Sequence, residues 1–343
     1  MTRCLLARWG PNHQCTISIG HLALFQLQHH AKAEVNKEDD SKSYINTFKH
    51  AQMLHILTTP INTSMALHQN LAVVISHGSY HSPAPYGPFI EALKAVGIDA
   101  YCPHRPTCDL SKLNVGDINN PDFGREPPPG GYPSDTEDAD QVIEVVDKLV
   151  NQAGKLILLV AHSSGGWVAT QAAVPELQAK TRRAEGKSGG IVGIFYIGAF
   201  LVPVGESVSS FFQPKDGSLV TPSFMRFHKH GFAGLGTPVD APRHFFDDIP
   251  QEQAVSWAAT LTASPIMTAK LTNDAYSALP CAYLVLEKDK SLPKEYQEYM
   301  ISLQIQAGNE FTVYRAPCGH SPHLGWTAGL VEKVEEFVDS ILP

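Results

Sequence analysis

The sequence predicts an α/β protein, with a mostly parallel central sheet covered by helices on both faces. Three observations carry this: short apolar β-branched runs recur along the chain, amphipathic stretches separate them, and glycines close those stretches. Strands buried on both faces read as continuous hydrophobic runs, and parallel strands need crossovers of helical length. Leu71–Ser76 is the first such run. An amphipathic stretch, Pro88–Val96, follows it and stops at Gly97, and Asp99–Pro103 reads as the next strand. Ser134 and Glu137 have capping-box spacing, opening a helix whose Val142, Val145, Val146 and Leu149 share a face. Gly154 ends that helix, and Lys155–Ala161 is expected to be a central strand. A helix from Gly165 to about Ala184 leads to a strand at Ile191–Ile197. Further strands at Ala282–Leu286 and Phe311–Tyr314 bracket a helix over Lys294–Gln306, and a last helix covers Leu330–Leu342.

Two segments interrupt the alternation. Residues 103–133 hold seven prolines and form a long loop at the carboxyl end of a strand, the edge where open α/β sheets bind ligands. Residues 203–279 exceed a simple crossover and read as a mainly helical cap inserted before the penultimate strand. Residues 1–64 lack sustained periodicity and are expected to be an extension without stable order, leaving 65–343 as the main domain.

Composition narrows the function. Of 343 residues, 43% are hydrophobic and 17% charged, which suits a substantial core. A net charge of -8 argues against a nucleic-acid or acidic-membrane binder. No apolar run approaches the roughly 20 residues of a membrane span. The six cysteines show no paired spacing and are expected to be free thiols in a reducing compartment, with Cys102–Cys108 the one conceivable bridge. The expected location is cytoplasmic; Arg3, Arg8 and Lys32, without acids in residues 1–33, are the weaker mitochondrial signal.

The chemistry centres on Ala161–Gly166, between a buried strand and a helix. A sharp strand-to-helix turn lifts a serine hydroxyl above the sheet and crowds the residues two before and two after it. Around Ser163 those are Ala161 and Gly165, both small; around Ser164 they would include His162. Ser163 is therefore the expected nucleophile. A serine needs a base and the base needs an orienting acid. His320 follows the strand at Phe311–Tyr314 and Asp289 follows Ala282–Leu286, in the order Ser, Asp, His. His323 and Glu287 are the neighbouring alternatives. The amides of Ser164 and of Ser79, in the His77-Gly78-Ser79 loop, are the expected oxyanion donors. His77 and His81 lie four apart, but the proline-rich context gives no helix to present them, and neither a metal nor a cofactor is expected.

From about residue 65 onward the chain resembles the α/β-hydrolase superfamily, and within it a fungal and bacterial branch similar to plant methylesterases and hydroxynitrile lyases. The matching stretches include His77-Gly78, Tyr86–Phe89, Val160–Gly166, Phe245–Glu252, Leu284–Pro293 and Gly319–Leu324. The resemblance implies the α/β-hydrolase fold and the triad Ser163, Asp289 and His320; the Leu292-Pro293 step after Asp289 is what favours it over Glu287. Hydrolysis of a carboxylic ester, thioester or lactone of a small apolar molecule is the leading expectation, with secondary metabolism as a setting. A lyase or acyltransferase using the same side chains, or a non-catalytic small-molecule receptor, are the alternatives. The cap aromatics Phe211, Phe212, Phe224, Phe245, Phe246 and Trp257 are expected to offer an apolar pocket or to pack within the cap.

Overall fold

The computed structural model describes residues 70–216 and 218–342. The expected N-terminal extension and its targeting signal lie outside these residues. Six strands form one parallel sheet: β1 (Leu71–Ser76), β2 (Asp99–Tyr101), β3 (Leu156–His162), β4 (Gly190–Ile197), β8 (Cys281–Leu286) and β9 (Phe311–Ala316), in the order β2-β1-β3-β4-β8-β9. Side chains alternate across a strand, so each apolar run feeds two cores. Ala72, Val74, Ile157, Leu159 and Ala161 enter one, with α2 (Asp135–Ala153) and α3 (Gly165–Ala172) supplying Val142, Val146, Val150, Trp167 and Val168. Leu71, Val73, Ile75, Leu158 and Val160 enter the other, against Phe89 and Leu93 of α1 (Gly87–Ala95) and Leu330, Val334 and Phe337 of α10 (Thr327–Ile341).

The helix termini follow the expected chemistry. Ser134 and Glu137 form the capping box, and Gly154 ends α2 in the left-handed region at φ 62°. One helix departs from expectation. The stretch from Gly165 to Ala184 is broken after Ala172 and resumes as α4 (Ala179–Ala184), because Pro175 has no amide proton to continue the ladder and opens a 3-10 turn at Pro175–Leu177 instead. α9 spans Lys294–Gln306 as expected.

The inserted segment holds the short helices α5 (Val208–Phe212), α6 (Ala241–His244), α7 (Gln251–Ala258) and α8 (Ala275–Ala278). It also carries an antiparallel sheet not foreseen in the sequence, β5 (Met225–Phe227), β6 (Leu235–Pro238) and β7 (Ser264–Pro265). Strands of two to four residues are too short to show a period of two. Among the described residues, Cys102, Cys108, Cys281 and Cys318 are free thiols, so the Cys102–Cys108 bridge is not formed. No described helix is long and apolar enough to cross a membrane.

The strand order positions the site. The chain steps outward from β1 to β2, then crosses back to place β3 on the other side of β1. Ligands of open α/β sheets bind outside the carboxyl ends of strands at such a reversal. Ser76 pairs with Ala161, so the segments carrying Ser79 and Ser163 leave the sheet side by side. Leu286 pairs with Ala316, which does the same for the segments carrying Asp289 and His320.

Candidate active site

Ser163 sits in the left-handed region at φ 54°, a conformation that crowds its Cβ and costs roughly 1–2 kcal/mol. The surroundings hold it there. Its amide donates to the Ile197 carbonyl at 3.2 Å, and its carbonyl accepts from Gly166 at 3.0 Å and Phe200 at 2.9 Å. The turn also requires glycine at position 165, where a Cβ would lie 2.0 Å from the Ser76 carbonyl oxygen. His162, the neighbour that argued against Ser164 as nucleophile, is buried at the end of β3.

The other two expected residues meet. His320 Nδ1 lies 2.7 Å from Asp289 Oδ2, with both side chains buried. Because the carboxylate only accepts, Nδ1 carries the proton and Nε2 keeps its lone pair. Nε2 has no hydrogen-bond partner among the described residues, and His320 lines the same cavity as Ser163. Asp289 is held by the amides of Ser291 and Leu292, each donating to Oδ1 at 2.8 Å. Glu287 is exposed, and His323 is stacked on Tyr86 at a centroid separation of 4.2 Å.

Several supporting residues escaped the sequence reading. The Tyr86 hydroxyl donates to His162 Nδ1 at 2.6 Å and accepts from the Gly78 amide at 3.1 Å. His162 Nε2 then donates to the His320 carbonyl at 2.8 Å. One tyrosine and one histidine thus tie the β1 loop to the strand carrying Ser163 and to the His320 loop. Asp248, in the inserted segment, accepts from the Gly319 amide at 2.9 Å, and its burial raises its carboxyl above the usual range. Burial holds His77, His162 and His323 well below the ordinary imidazole range and takes His81 down to about 4.

The expected oxyanion residues are adjacent, but bonded to one another. The Ser79 amide donates to Ser164 Oγ at 2.7 Å, and the two hydroxyl oxygens are also 2.7 Å apart. Behind them Arg105 and Asp138 form a fully buried ion pair at 2.8 Å. Arg105 lies in the proline-rich loop, where nothing in the pattern marks it. Asp138 stands in the first turn of α2, where an acid is expected to favour the helix dipole.

The cavity above Ser163 has a volume of about 440 Å³. Of the aromatics expected there, Phe212, Phe224 and Phe245 reach it, joined by Tyr80, Phe200, Phe232 and Tyr296. Phe246 and Trp257 instead pack in the cluster around Tyr80, and Phe211 packs on the sheet core. Serine hydroxyls supply much of the polar wall, and Lys290 is held by Asp247 at 2.7 Å. No group of three or more His, Cys, Asp or Glu able to hold a metal occurs among the described residues.

Residues 73–333 match the Alpha/beta hydrolase family over most of the chain. The chain belongs to that family. It is similar to an alpha/beta hydrolase, nvfD, of Aspergillus novofumigatus, at 25% identity over 257 residues, 74% of this chain and 90% of the relative. Its fold is shared with a pyrethroid hydrolase from Sphingobium faniae (TM-score 0.56, 18% identity, 79% of this chain and 98% of that one). It is also shared with the methylesterase MES16 from Arabidopsis (TM-score 0.52, 15% identity, 79% and 99%). Within this hydrolase family fold does not dictate substrate, which the cavity must decide.

Proposed function

We propose that this α/β-hydrolase is a serine esterase, cleaving a carboxylic ester, thioester or lactone of a small apolar molecule through an acyl-enzyme. The observation that carries the reading is the 2.7 Å contact between His320 Nδ1 and Asp289, which leaves Nε2 as a base in the cavity shared with Ser163. In this scheme His320 takes the Ser163 proton as Oγ attacks the carbonyl carbon and returns it to the leaving oxygen or sulfur. Asp289 fixes the tautomer and balances the imidazolium. Water then repeats the sequence to release the acid.

A cavity of about 440 Å³ with aromatic, methionine and hydroxyl walls favours an uncharged substrate of modest size. Pyrethroid and methyl ester hydrolysis, named for two proteins of the same fold, is chemistry of this class. Turnover of a panel of neutral esters, thioesters and lactones, with product analysis, tests the reading. Stoichiometric acid and alcohol or thiol (a hydroxy acid from a lactone), lost in Ser163→Ala, is expected. Products without net addition of water would point to a lyase or transferase, and turnover surviving in Ser163→Ala would remove Ser163 from the reaction.

A further inference from the structure

We propose that the Ser79 hydroxyl, rather than its amide, is the oxyanion donor on the β1 side of the cavity, and that the buried Arg105 aims its proton through Ser164. The inference rests on the acyl-transfer reading above. Its basis is a count of donors at one oxygen. Ser164 Oγ receives Arg105 Nη1 at 2.8 Å and the Ser79 amide at 2.7 Å. Neither group can accept a hydrogen bond in return. Two incoming donors use both lone pairs of a hydroxyl oxygen, so the third contact, to Ser79 Oγ at 2.7 Å, is one in which Ser164 donates. Ser79 Oγ is thereby an acceptor from Ser164, and its own proton points elsewhere. Ser79 lines the cavity together with Ser163 and His320.

The rest of the network secures this direction. Arg105 donates through Nε to Asp138 at 2.8 Å and through Nη1 also to the His77 carbonyl at 2.9 Å. Asp138 is further satisfied by the Thr107 amide at 2.9 Å and hydroxyl at 2.7 Å. The guanidinium therefore cannot swing away from Ser164 without breaking bonds made in a dry interior. Burying such a pair is expensive, and here the guanidinium ends on the hydroxyl relay beside the reacting serine. As Ser163 Oγ bonds to the carbonyl carbon, the carbonyl π pair moves onto oxygen and the Ser163 proton goes to His320 Nε2. Ser79 donates a hydrogen bond to the new oxyanion and keeps its proton. The positive charge of Arg105 strengthens that bond through the relay. Ser79 is the catalytic residue of this arrangement; Ser164 Oγ and Arg105 are positioning residues. The Ser79 amide, committed to Ser164, is not available to the oxyanion.

The second-order rate of labelling by a fluorophosphonate reads this directly, because the phosphoryl oxygen occupies the same hole and no substrate need be known. Ser79→Ala keeps the amide and loses the hydroxyl. It is expected to label roughly a hundredfold more slowly, to the same final stoichiometry. Ser79→Thr is expected to restore most of the rate. Ser164→Ala should slow labelling by itself yet cause no further slowing in a Ser79→Ala background, since its effect runs through that hydroxyl and the amide it frees can only speed that background. A wild-type rate in Ser79→Ala, or full additivity in the double variant, overturns the proposal while leaving Ser163 as nucleophile. Failure of the wild-type protein to label removes the acyl-transfer reading and this proposal with it.

Discussion

Acidification should unfold this protein in a narrow window, and the histidines around the site set its position. His77, His81, His162 and His323 are all buried, and burial is the first cause of the lowered affinity of each for protons. In the unfolded chain each titrates near 6.5. Between that value and the folded value the unfolded state binds more protons, so stability is fully present above about pH 6.5 and falls as pH drops. At pH 5.5 each imidazole contributes a loss between roughly 1 and 2 kcal/mol. Asp135 works in the opposite direction. Burial raises its folded pKa to about 6, so its folded form takes up a proton near that pH and offsets about 1 kcal/mol. Asp248, also raised by burial, acts in the same direction. The net loss at pH 5.5 is on the order of a few kcal/mol, a large part of the stability of an ordinary domain. Denaturant unfolding measured from pH 8 to 5 should show a plateau, then a slope of roughly two protons or more. His323→Phe, which keeps a ring against Tyr86, should reduce that slope by about one proton. Stability that stays flat to pH 5, or an uptake below one proton on unfolding, would show that burial does not hold these imidazoles neutral.

Four further outcomes follow from the geometry. Asp289→Asn should keep the Ser291 and Leu292 bonds through its amide oxygen but present a donor to His320 Nδ1, moving the imidazole proton to Nε2; ester turnover should fall roughly 10⁴-fold with little change in melting temperature. Gly165→Ala would place a Cβ 2.0 Å from the Ser76 carbonyl oxygen and should cost at least about 3 kcal/mol in denaturant unfolding. Gly87→Ala, with nothing within 4 Å of the added atom, should stay within about 1 kcal/mol of wild type. At position 163 glycine relieves the positive φ and alanine does not, so Ser163→Gly should unfold at higher denaturant than Ser163→Ala, by about 1 kcal/mol, with both inactive.

Much of the frame was legible because its signals are local. The two-sided burial of β1 and β3 forces unbroken apolar runs, and the capping box at Ser134 and Glu137 marks the start of α2 to the residue. The steric rule around Ser163 is also local, and the glycine at 165 meets it. Asp289 and His320 stand just past their strands, so strand order alone brings them together. What escaped is non-local or directional. Arg105 and Asp138 come from a proline-rich loop and a helix start, and only the folded chain makes them partners. The use of Tyr86 and His162 as struts depends on ring orientation that no spacing encodes. The Ser79 amide looked free because its acceptor is the side chain of a residue far along the chain. The small sheet of the inserted segment was unreadable because strands of two to four residues hold too few repeats of a two-residue period to reveal it.

In the proposed reaction Ser163 is made nucleophilic by His320 held on Asp289. Intact-mass measurement after fluorophosphonate treatment, followed by peptide mapping, tests it most directly. A single adduct on Ser163 is expected in the wild-type protein, none in Ser163→Ala, and labelling slowed by orders of magnitude in His320→Ala. An adduct on any other residue, or labelling that survives unchanged in either variant, would contradict it.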